Sequence, residues 1–493
     1  MKDESKFSKV LSILLSVVLV ISSFYLLYQV IRLNVLPSKF LFPLTIGVVV
    51  LDAIFILLLI YFSKNVVSKI VCIVLTLFIC VASCMGGYYI SKTQGALSNI
   101  TSVAKHAKNT VSVIVKESSS IKNKSQLNGV SVGSLRLNEQ GSKKVLKELS
   151  SEGIVLNQTE YDSMTALLEA FYNGEVDSII INESSRSQIL DMETYSNFDS
   201  NTRVVYQTSY KVKNNDSATS VSDITSKPFN VLISGSDTRG GFDENGRSDV
   251  IMIATVNPKT HTILLTSVPR DFYVTTACDA GDGCMQGALD KITHTGIHGT
   301  NTTKRTVEQL LGIEINYTFK VGFDTVTELV DVLGGVDVYV EPGYATTTSE
   351  FSVHEGVNHL NAQQALAFAR ERYSYTEGDR QRTKNQQQVL MGIVKEVTKP
   401  SVITNYAAIM DTMANTFSTT MSNAEITDLI KYQLNNNPTW KMEQYMVDGT
   451  GDTLMCAELG DAASVMVPDQ STVKMAKDKI NAVLAGKSSE DVK

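Results

Sequence analysis

Between residues 229 and 275 the chain sets acids and arginines at the ends of apolar runs. Ser236-Asp237-Thr238-Arg239 follows the run 229–235, Arg247-Ser248-Asp249 precedes 250–256, and Pro269-Arg270-Asp271 follows 262–268. The length and β-branched content of these runs predict strands buried on both faces, with Asn257-Pro258-Lys259-Thr260 as the turn joining the second to the third. A hairpin of those two strands puts Arg247 and Asp249 beside Arg270. A first strand pointing the same way as the third brings Asp237 to the same edge. Carboxylates and guanidiniums then gather at one end of a sheet, where α/β proteins hold ligands. Ionised groups at the rim of an apolar sheet are costly unless they pair or bind something. Two readings stay open on these residues alone: an Asp–Arg network that only holds the fold, or a ligand site.

Further along, Asn361 with Gln364 three residues on forms a capping-box pattern that starts a helix carrying Arg370 and Arg372. Gly378-Asp379-Arg380 opens the next helix, which runs to Pro400. Asp379, Arg382 and Gln386, spaced three and four apart, share one face near its N-terminus. Arginines at a helix N-terminus suit phosphate. By composition alone, a solvated charged face is the favoured reading of the same residues. Lys291 and His294 lie between these stretches, and His294 fits either a packed histidine or a phosphate contact.

The elements that must position these groups alternate between strand and helix. After the three strands, a helix is predicted over 301–311 with Gly312 as its stop, then a strand over 317–323. Asp324 reads as the N-cap of a helix over 325–333, and 336–340 as another strand. Val326, Leu329, Val330 and Leu333 have the helical spacing of ordinary core.

The pieces Gly235-Ser-Asp-Thr-Arg239, Gly246-Arg-Ser-Asp249, Asn257-Pro-Lys-Thr260 and Ser267-Val-Pro-Arg-Asp271 closely resemble the signature region of the LytR-CpsA-Psr family, membrane-bound enzymes of Gram-positive cell-wall assembly. The shape of the whole chain resembles the capsule-associated CpsA type. The resemblance implies a transferase that moves a glycopolymer, a capsular polysaccharide, from a polyprenyl-diphosphate carrier onto peptidoglycan. It implies that Asp237 and Asp249 hold Mg²⁺ (or Mn²⁺), and that Arg247, Arg270, Arg370 and Arg382 grip the diphosphate while Gln386 orients it. Asp379 is the expected acceptor of the attacking hydroxyl's proton, with Asp249 as its rival. Asp237, Asp249, Arg270 and Asp379 make up the expected catalytic set. Part of the apolar surface around Val326 is then an alternative slot for the prenyl chain. Where family members continue with an aromatic and glycine-rich segment, this chain has Thr295-Gly-Ile-His-Gly-Thr300. A regulator or sensor of capsule assembly, working through capsule-assembly proteins, is the second reading. Hydrolysis of the same diphosphate by water is the third.

The remaining chain sets the location. Apolar stretches at 11–31, 40–62 and 70–90 are each long enough to cross a bilayer core of about 30 Å. No cleavage site follows, so they predict an anchor. Asp52, mid-span, is costly there unless protonated or hydrogen-bonded to a Ser or Tyr. Cys72, Cys80 and Cys84 fall in the third span, and Cys278 and Cys284 bracket a short loop that suits a disulfide; Cys456 is left over, and no second Cys or His pair has zinc spacing. The net charge of −7 over 493 residues favours no nucleic-acid partner.

The expected architecture is α/β throughout: three transmembrane helices (1–92), a helical stalk (93–110), a small α/β accessory domain (111–213), a linker (214–227), a catalytic domain with a central mixed sheet flanked by helices (228–487) and a tail (488–493). Within the accessory domain, 127–133 and 174–181 resemble one lobe of a periplasmic solute-binding protein. A single lobe lacks the opposing half that closes over a solute, so docking or ligand sensing is expected of it rather than catalysis. Lys2, Lys6 and Lys9 before the first span and Lys64 and Lys69 between the second and third favour a cytoplasmic N-terminus in a multi-pass cell-membrane protein. The region beyond 111 is therefore predicted to be extracellular. Protease added to intact protoplasts should digest it; digestion only after lysis would reverse the orientation.

Overall fold

Three long apolar helices open the chain: α1 (Lys6–Leu33), α2 (Ser38–Leu57) and α3 (Val66–Val103), each able by length and composition to cross a membrane. The computed structural model describes residues 6–62, 65–103, 106–213, 215–237 and 244–493; the side chain of Asp237 lies outside the described residues. Apolar residues lie on all sides of α1 and α2, as a helix solvated by lipid requires. Asp52 is buried on α2 and accepts a hydrogen bond of 2.9 Å from Ser23 Oγ on α1, which answers the cost of a polar group at that depth. The expected stalk is the C-terminal continuation of α3. It ends sooner than its polarity suggests, because the first accessory strand, β1 (His106–Lys116), begins at 106 rather than 111.

The accessory domain adds β2 (Ser131–Leu135), α4 (Glu139–Ser151), β3 (Asn157–Tyr161), α5 (Met164–Asn173), β4 (Ser178–Asn182), α6 (Arg186–Asp191), α7 (Phe198–Asn201) and β5 (Thr202–Lys213). Its sheet runs β3-β2-β4-β1-β5, with β2 parallel to β3 and β4, and β1 antiparallel to β4 and β5. Successive residues of β4 serve opposite faces. Ile179 and Ile181 pack with Leu167, Leu168 and Phe171, whereas Ile180 packs with Val145 and Leu149. β3 starts only at Asn157. Ile154 and Leu156 do reach the core, but the ladder with β2 begins only at Asn157 opposite Ser131. Between 183 and 195 the chain forms α6 with a 3₁₀ turn on each side.

The larger domain is built on β6 (Phe229–Asp237), β7 (Arg247–Asn257) and β8 (Thr262–Val268). A ribbon of β9 (Tyr273–Thr275) and β10 (Leu289–Lys291) follows, and Cys278 and Cys284 are disulfide-bonded in the loop between its strands. Next come α8 (Thr300–Leu311), stopped by Gly312 in the left-handed region at φ 59°, then β11 (Tyr317–Gly322), α9 (Phe323–Leu333) and β12 (Val336–Val340). Asp324 falls inside the first turn of α9, and Gly322 occupies the N-cap instead. β13 (Thr346–Thr347), β14 (Ser352–Val353) and β15 (Gly356–Leu360) lead to α10 (Ala362–Arg370), where Asn361 and Gln364 form the expected capping box, and to α11 (Asp379–Val397). The chain ends through α12 (Val402–Thr416), β16 (Phe417–Thr419), α13 (Asn423–Asn436), β17 (Lys441–Met446), β18 (Gly449–Cys456), β19 (Asp461–Pro468) and α14 (Gln470–Leu484).

The central sheet is mixed, in the order β16-β11-β6-β7-β8-β17. Leu232, Ile251, Ile253 and Leu264 face a core shared with Val307 of α8 and Val473 and Ile480 of α14. On the far side α9, α10 and α11 pack with β12 and β15 around Val330, Val336 and Phe368. Contacts divide the chain into two compact units. One joins Met1–Asn99 with Thr398–Asp411 and Asn423–Pro438; the other joins Ile100–Val397, Thr412–Ser422 and Thr439–Lys493. The segments 398–411 and 423–438, expected to complete the larger domain, thus group with the apolar helices. Lys92 pairs there with Asp411 at 2.8 Å, and Lys431 donates to Asn34 Oδ1 at 2.8 Å.

Leu232 is fully buried at the middle of the sheet. Leu232→Ala should lower the unfolding free energy by about 2–5 kcal/mol, measured by denaturant titration of the protein in detergent.

Candidate active site

Strand direction assembles the site. Because β7 is antiparallel to both β6 and β8, the end of β6, the start of β7 and the end of β8 share one edge of the sheet. Asp237 stands opposite Arg247 in this register, and a bulge between Gly235 and Ser236 bends the strand just before the rim. Gly235 is required there: a Cβ would stand 2.7 Å from Val250 Cβ.

Asp249 is the centre of the described charges, with its side chain 10% exposed. Its Oδ1 accepts from Arg270 Nη1 at 3.0 Å and from Thr293 Oγ1 at 3.1 Å, and its Oδ2 lies 3.6 Å from Arg247 Nη2. Burial works to raise the Asp249 carboxyl, but Arg247, Arg270 and the hydrogen bonds outweigh it and hold the group below its ordinary range. Burial likewise pulls Arg270 down, and Asp249, Asp271 and Asp379 reverse that, leaving it above its usual value. Arg247, nearly buried, also ion-pairs with Asp191 of α6. At the start of α11, Arg382 ion-pairs with Asp379 one turn earlier. Burial lowers the Arg382 guanidinium, and the nearby charge of Arg270 adds to the effect against the pull of Asp379. Three arginines from three elements therefore share one electrostatic field. Among the described residues, the buried Nε atoms of Arg270 and Arg382 have no hydrogen-bond acceptor, although Asp271 Oδ2 stands 3.8 Å from Arg270 Nε. Buried donors in that condition suit an incoming anion.

The same helix leads into an apolar cavity. Ile233, Val250 and Met252 of the sheet face Val326, Leu390 and Ile393 across a space of about 90 Å³, and Gln386 lines it one turn after Arg382. At about 30 Å³ per water, this is the volume of only a few small groups.

Residues 194–482 match the model of the LytR_cpsA_psr family. The chain belongs to that family. A stretch of 207 residues is 33% identical to the polyisoprenyl-teichoic acid–peptidoglycan teichoic acid transferase TagU of Bacillus cereus (strain AH820), covering 42% of this chain and 65% of the relative. The TagU of Bacillus subtilis (strain 168) is 35% identical over 196 residues, 40% of this chain and 60% of its own length. The chain thus spans less than two thirds of the length of these relatives. Superposed on the crystal structure of B. subtilis TagU, it gives a TM-score of 0.41 at 28% identity, over 52% of this chain and 97% of that one.

Of the residues singled out by the resemblance to LytR-CpsA-Psr proteins, Arg247, Asp249, Arg270, Asp379 and Arg382 come together. Gln386 lines the cavity. Arg370 is exposed at the last position of α10, next to the cavity-lining Ala369. Asp237 reaches the rim by its backbone, and its side chain lies outside the described residues. His294 is buried against Asp290, with Nδ1 and Oδ1 2.7 Å apart, in the packed state that was one of its two readings. Of the run at helical spacing on α9, Val330 is core and Val326 borders the cavity.

Two partners were missed. Thr293 sits unremarkably between Lys291 and His294, and Asp191 is an isolated acid in another domain; neither carries a local signal. Among the described residues, no group of three or more His, Cys, Asp or Glu side chains is placed to hold a metal ion. Asp249 Oδ2, met by Arg247 only at 3.6 Å, retains coordinating capacity. Mg²⁺ commonly takes one or two carboxylates and completes its shell with water and phosphate oxygens. The described donors fit such an ion only together with Asp237 and a substrate.

Asp249 links the site to stability. Its folded pKa lies below the unfolded value, so its contribution is fully present above about pH 4 and is lost as pH falls through the folded pKa. Asp249→Asn should destabilise the fold at pH 7 by roughly 3–5 kcal/mol, because two buried guanidiniums lose their counter-charge. It should also flatten the acid limb of the stability profile, measured by denaturation between pH 7 and pH 3. An unchanged acid limb would remove Asp249 as its source.

Proposed function

We propose that this protein is a membrane-anchored transferase acting outside the cell, moving a glycopolymer, read as capsular polysaccharide, from a polyprenyl-diphosphate carrier onto peptidoglycan. The observation that carries this reading is the double duty of α11. Its first turn presents Asp379 and Arg382 to the arginine cluster, and its next turns present Gln386, Val389, Leu390 and Ile393 to the apolar cavity. A polyprenyl diphosphate has that division, a dense anionic group joined to a hydrocarbon tail. The names of the TagU relatives, which pair a polyisoprenyl-linked polymer with peptidoglycan, support the same class of donor and acceptor. As drawn, the cavity has room for only the first part of a chain, so a full tail requires the side chains of α9 and α11 to separate.

In the reaction, a hydroxyl of the acceptor attacks the phosphorus that bears the sugar. The new O–P bond forms as the bond from that phosphorus to the bridging oxygen breaks, and polyprenyl phosphate leaves with the electron pair. Arg247, Arg270 and Arg382, with Arg370 from the end of α10, grip the diphosphate oxygens and stabilise charge on the leaving phosphate. Held ionised by two guanidiniums, Asp249 is a weak base. Asp379, 27% exposed against 10% for Asp249, is the better placed acceptor for the hydroxyl proton. Mg²⁺ or Mn²⁺ shared by Asp237, Asp249 and substrate oxygens would neutralise part of the diphosphate charge.

The test uses a lipid-linked oligosaccharide with and without a peptidoglycan acceptor. Transfer should need the acceptor; equal release of polyprenyl phosphate without it would favour hydrolysis by water. Arg270→Lys keeps the charge but loses the two-pronged grip, and Asp237→Ala removes a metal ligand. Each should lower turnover by about 10²–10³-fold. A near-unchanged melting temperature of the Asp237→Ala protein is expected alongside. Retained turnover with a lowered melting temperature would make the rim a structural network.

A further inference from the structure

The accessory domain and the disulfide loop enclose a second space, about 600 Å³, within the usual size of a small-ligand site. One wall comes from β1, α4 and β5, and the other from the Cys278–Cys284 loop, the turn at His298 and Glu458. The single lobe thus meets an opposing half supplied by the larger domain.

Its chemistry is set by amides. Asn138 occupies the N-cap position of α4, where an asparagine ordinarily gives its oxygen to the first turn, yet it makes no capping bond. It is 7% exposed, and among the described residues both its Oδ1 and its Nδ2 lack partners. Its place is left open by Gly141, where a Cβ would stand 2.4 Å from Asn138 Oδ1. Asn109 and Asn182, whose side chains hydrogen-bond with Tyr210, also line the space, and among the described residues their Oδ1 atoms lack partners. The acids of the opposite wall are already engaged: Asn301 donates to Asp279 at 2.9 Å and to Asp282 at 3.0 Å, and His298 meets Glu458 at 3.1 Å. Among the described residues no lysine or arginine lines the space, which disfavours phosphate and other anions.

We propose that this cleft binds a neutral saccharide, its amides pairing with hydroxyl or acetamido groups and its apolar patch of Leu135, Leu137 and the Tyr210 ring taking the sugar's C–H face. Sugar hydroxyls both donate and accept, which matches an asparagine whose two amide atoms are unpartnered. A bound peptide would instead call for side-chain pockets or ladder pairing along a strand edge. The saccharide could come from the wall glycan or from the polymer being transferred. Binding is measured without turnover, so its failure leaves the transferase reading untouched.

The experiment is calorimetric titration of the full-length protein in detergent with three probes: tri-N-acetylchitotriose, a neutral repeat-unit oligosaccharide of the surface polysaccharide, and a wall stem peptide. Saturable binding of either saccharide is expected, and which one binds identifies the source. Asn138→Leu and Asn182→Leu should each weaken it by at least about tenfold, the loss expected when a buried polar partner disappears. Gly141→Ala should weaken it by displacing Asn138, while Arg270→Lys, at the other site, should leave it unchanged. If Asn138→Leu does not fold, Asn182→Leu decides by the same reading. No saturable saccharide binding, binding indifferent to the asparagine variants, or binding of the stem peptide alone would each overturn the proposal; in the first case the amides are met by water.

Discussion

A carboxylate held between two guanidiniums at the end of a sheet is the interaction on which the site depends. Asp249 is too deeply placed to be tolerated as an isolated charge, and Arg270 and Arg247 are too deeply placed to do without it. Their mutual attraction fixes where each fork lies. Arg270 gives Nη1 to Asp249, and its Nε edge stays without an acceptor among the described residues. An arginine fixed in this way loses little further freedom when it grips a ligand, so the energy of contact is not consumed in ordering the side chain. Register enforces the arrangement, since a one-residue slip of β7 against β8 would send Asp249 to the opposite face.

The accessory domain takes part in that arrangement. Asp191 engages Arg247 from α6, β1 meets Glu244 near the rim through Lys108 at 3.2 Å, and Leu459 O accepts from Thr165 Oγ1 at 3.0 Å. An arginine of the rim therefore carries counter-charges from two domains. A change in how α6 sits would alter the charge balance on Arg247 directly, with no chain of intervening residues.

The sequence was most legible where local chemistry decides structure. Gly312 ended α8, Asn361 and Gln364 made their capping box, and the three apolar runs became strands whose directions followed from the turn at 257–260. It was less legible where two local signals compete. Ile154 and Leu156 alternate like a strand because they are buried, but burial does not supply ladder partners, and the strand starts after them. Asp324 looks like a cap, although the helix begins one residue before it. Within the site, the charged residues were visible because ionised side chains beside apolar strands are unusual. Thr293 and Asp191 were invisible because a threonine hydroxyl and a surface-type aspartate are common, and only the assembled fold gives them a partner.

One edge strand of the central sheet, β17, pairs in parallel with β8, yet it is one of the last elements in the chain. Until it arrives, β8 has an open edge with fully buried-type side chains on both faces. That pairing is non-local, so its loop must close before any contact rewards it, and closure slows folding far more than it weakens the product. During synthesis the rim arginines are made early but cannot be locked in place, and the bare edge of β8 offers itself to other chains meanwhile. Maturation of this domain is therefore governed by the arrival of its C-terminal fifth, and a chain cut short before β17 would be an aggregation hazard rather than merely a less stable fold.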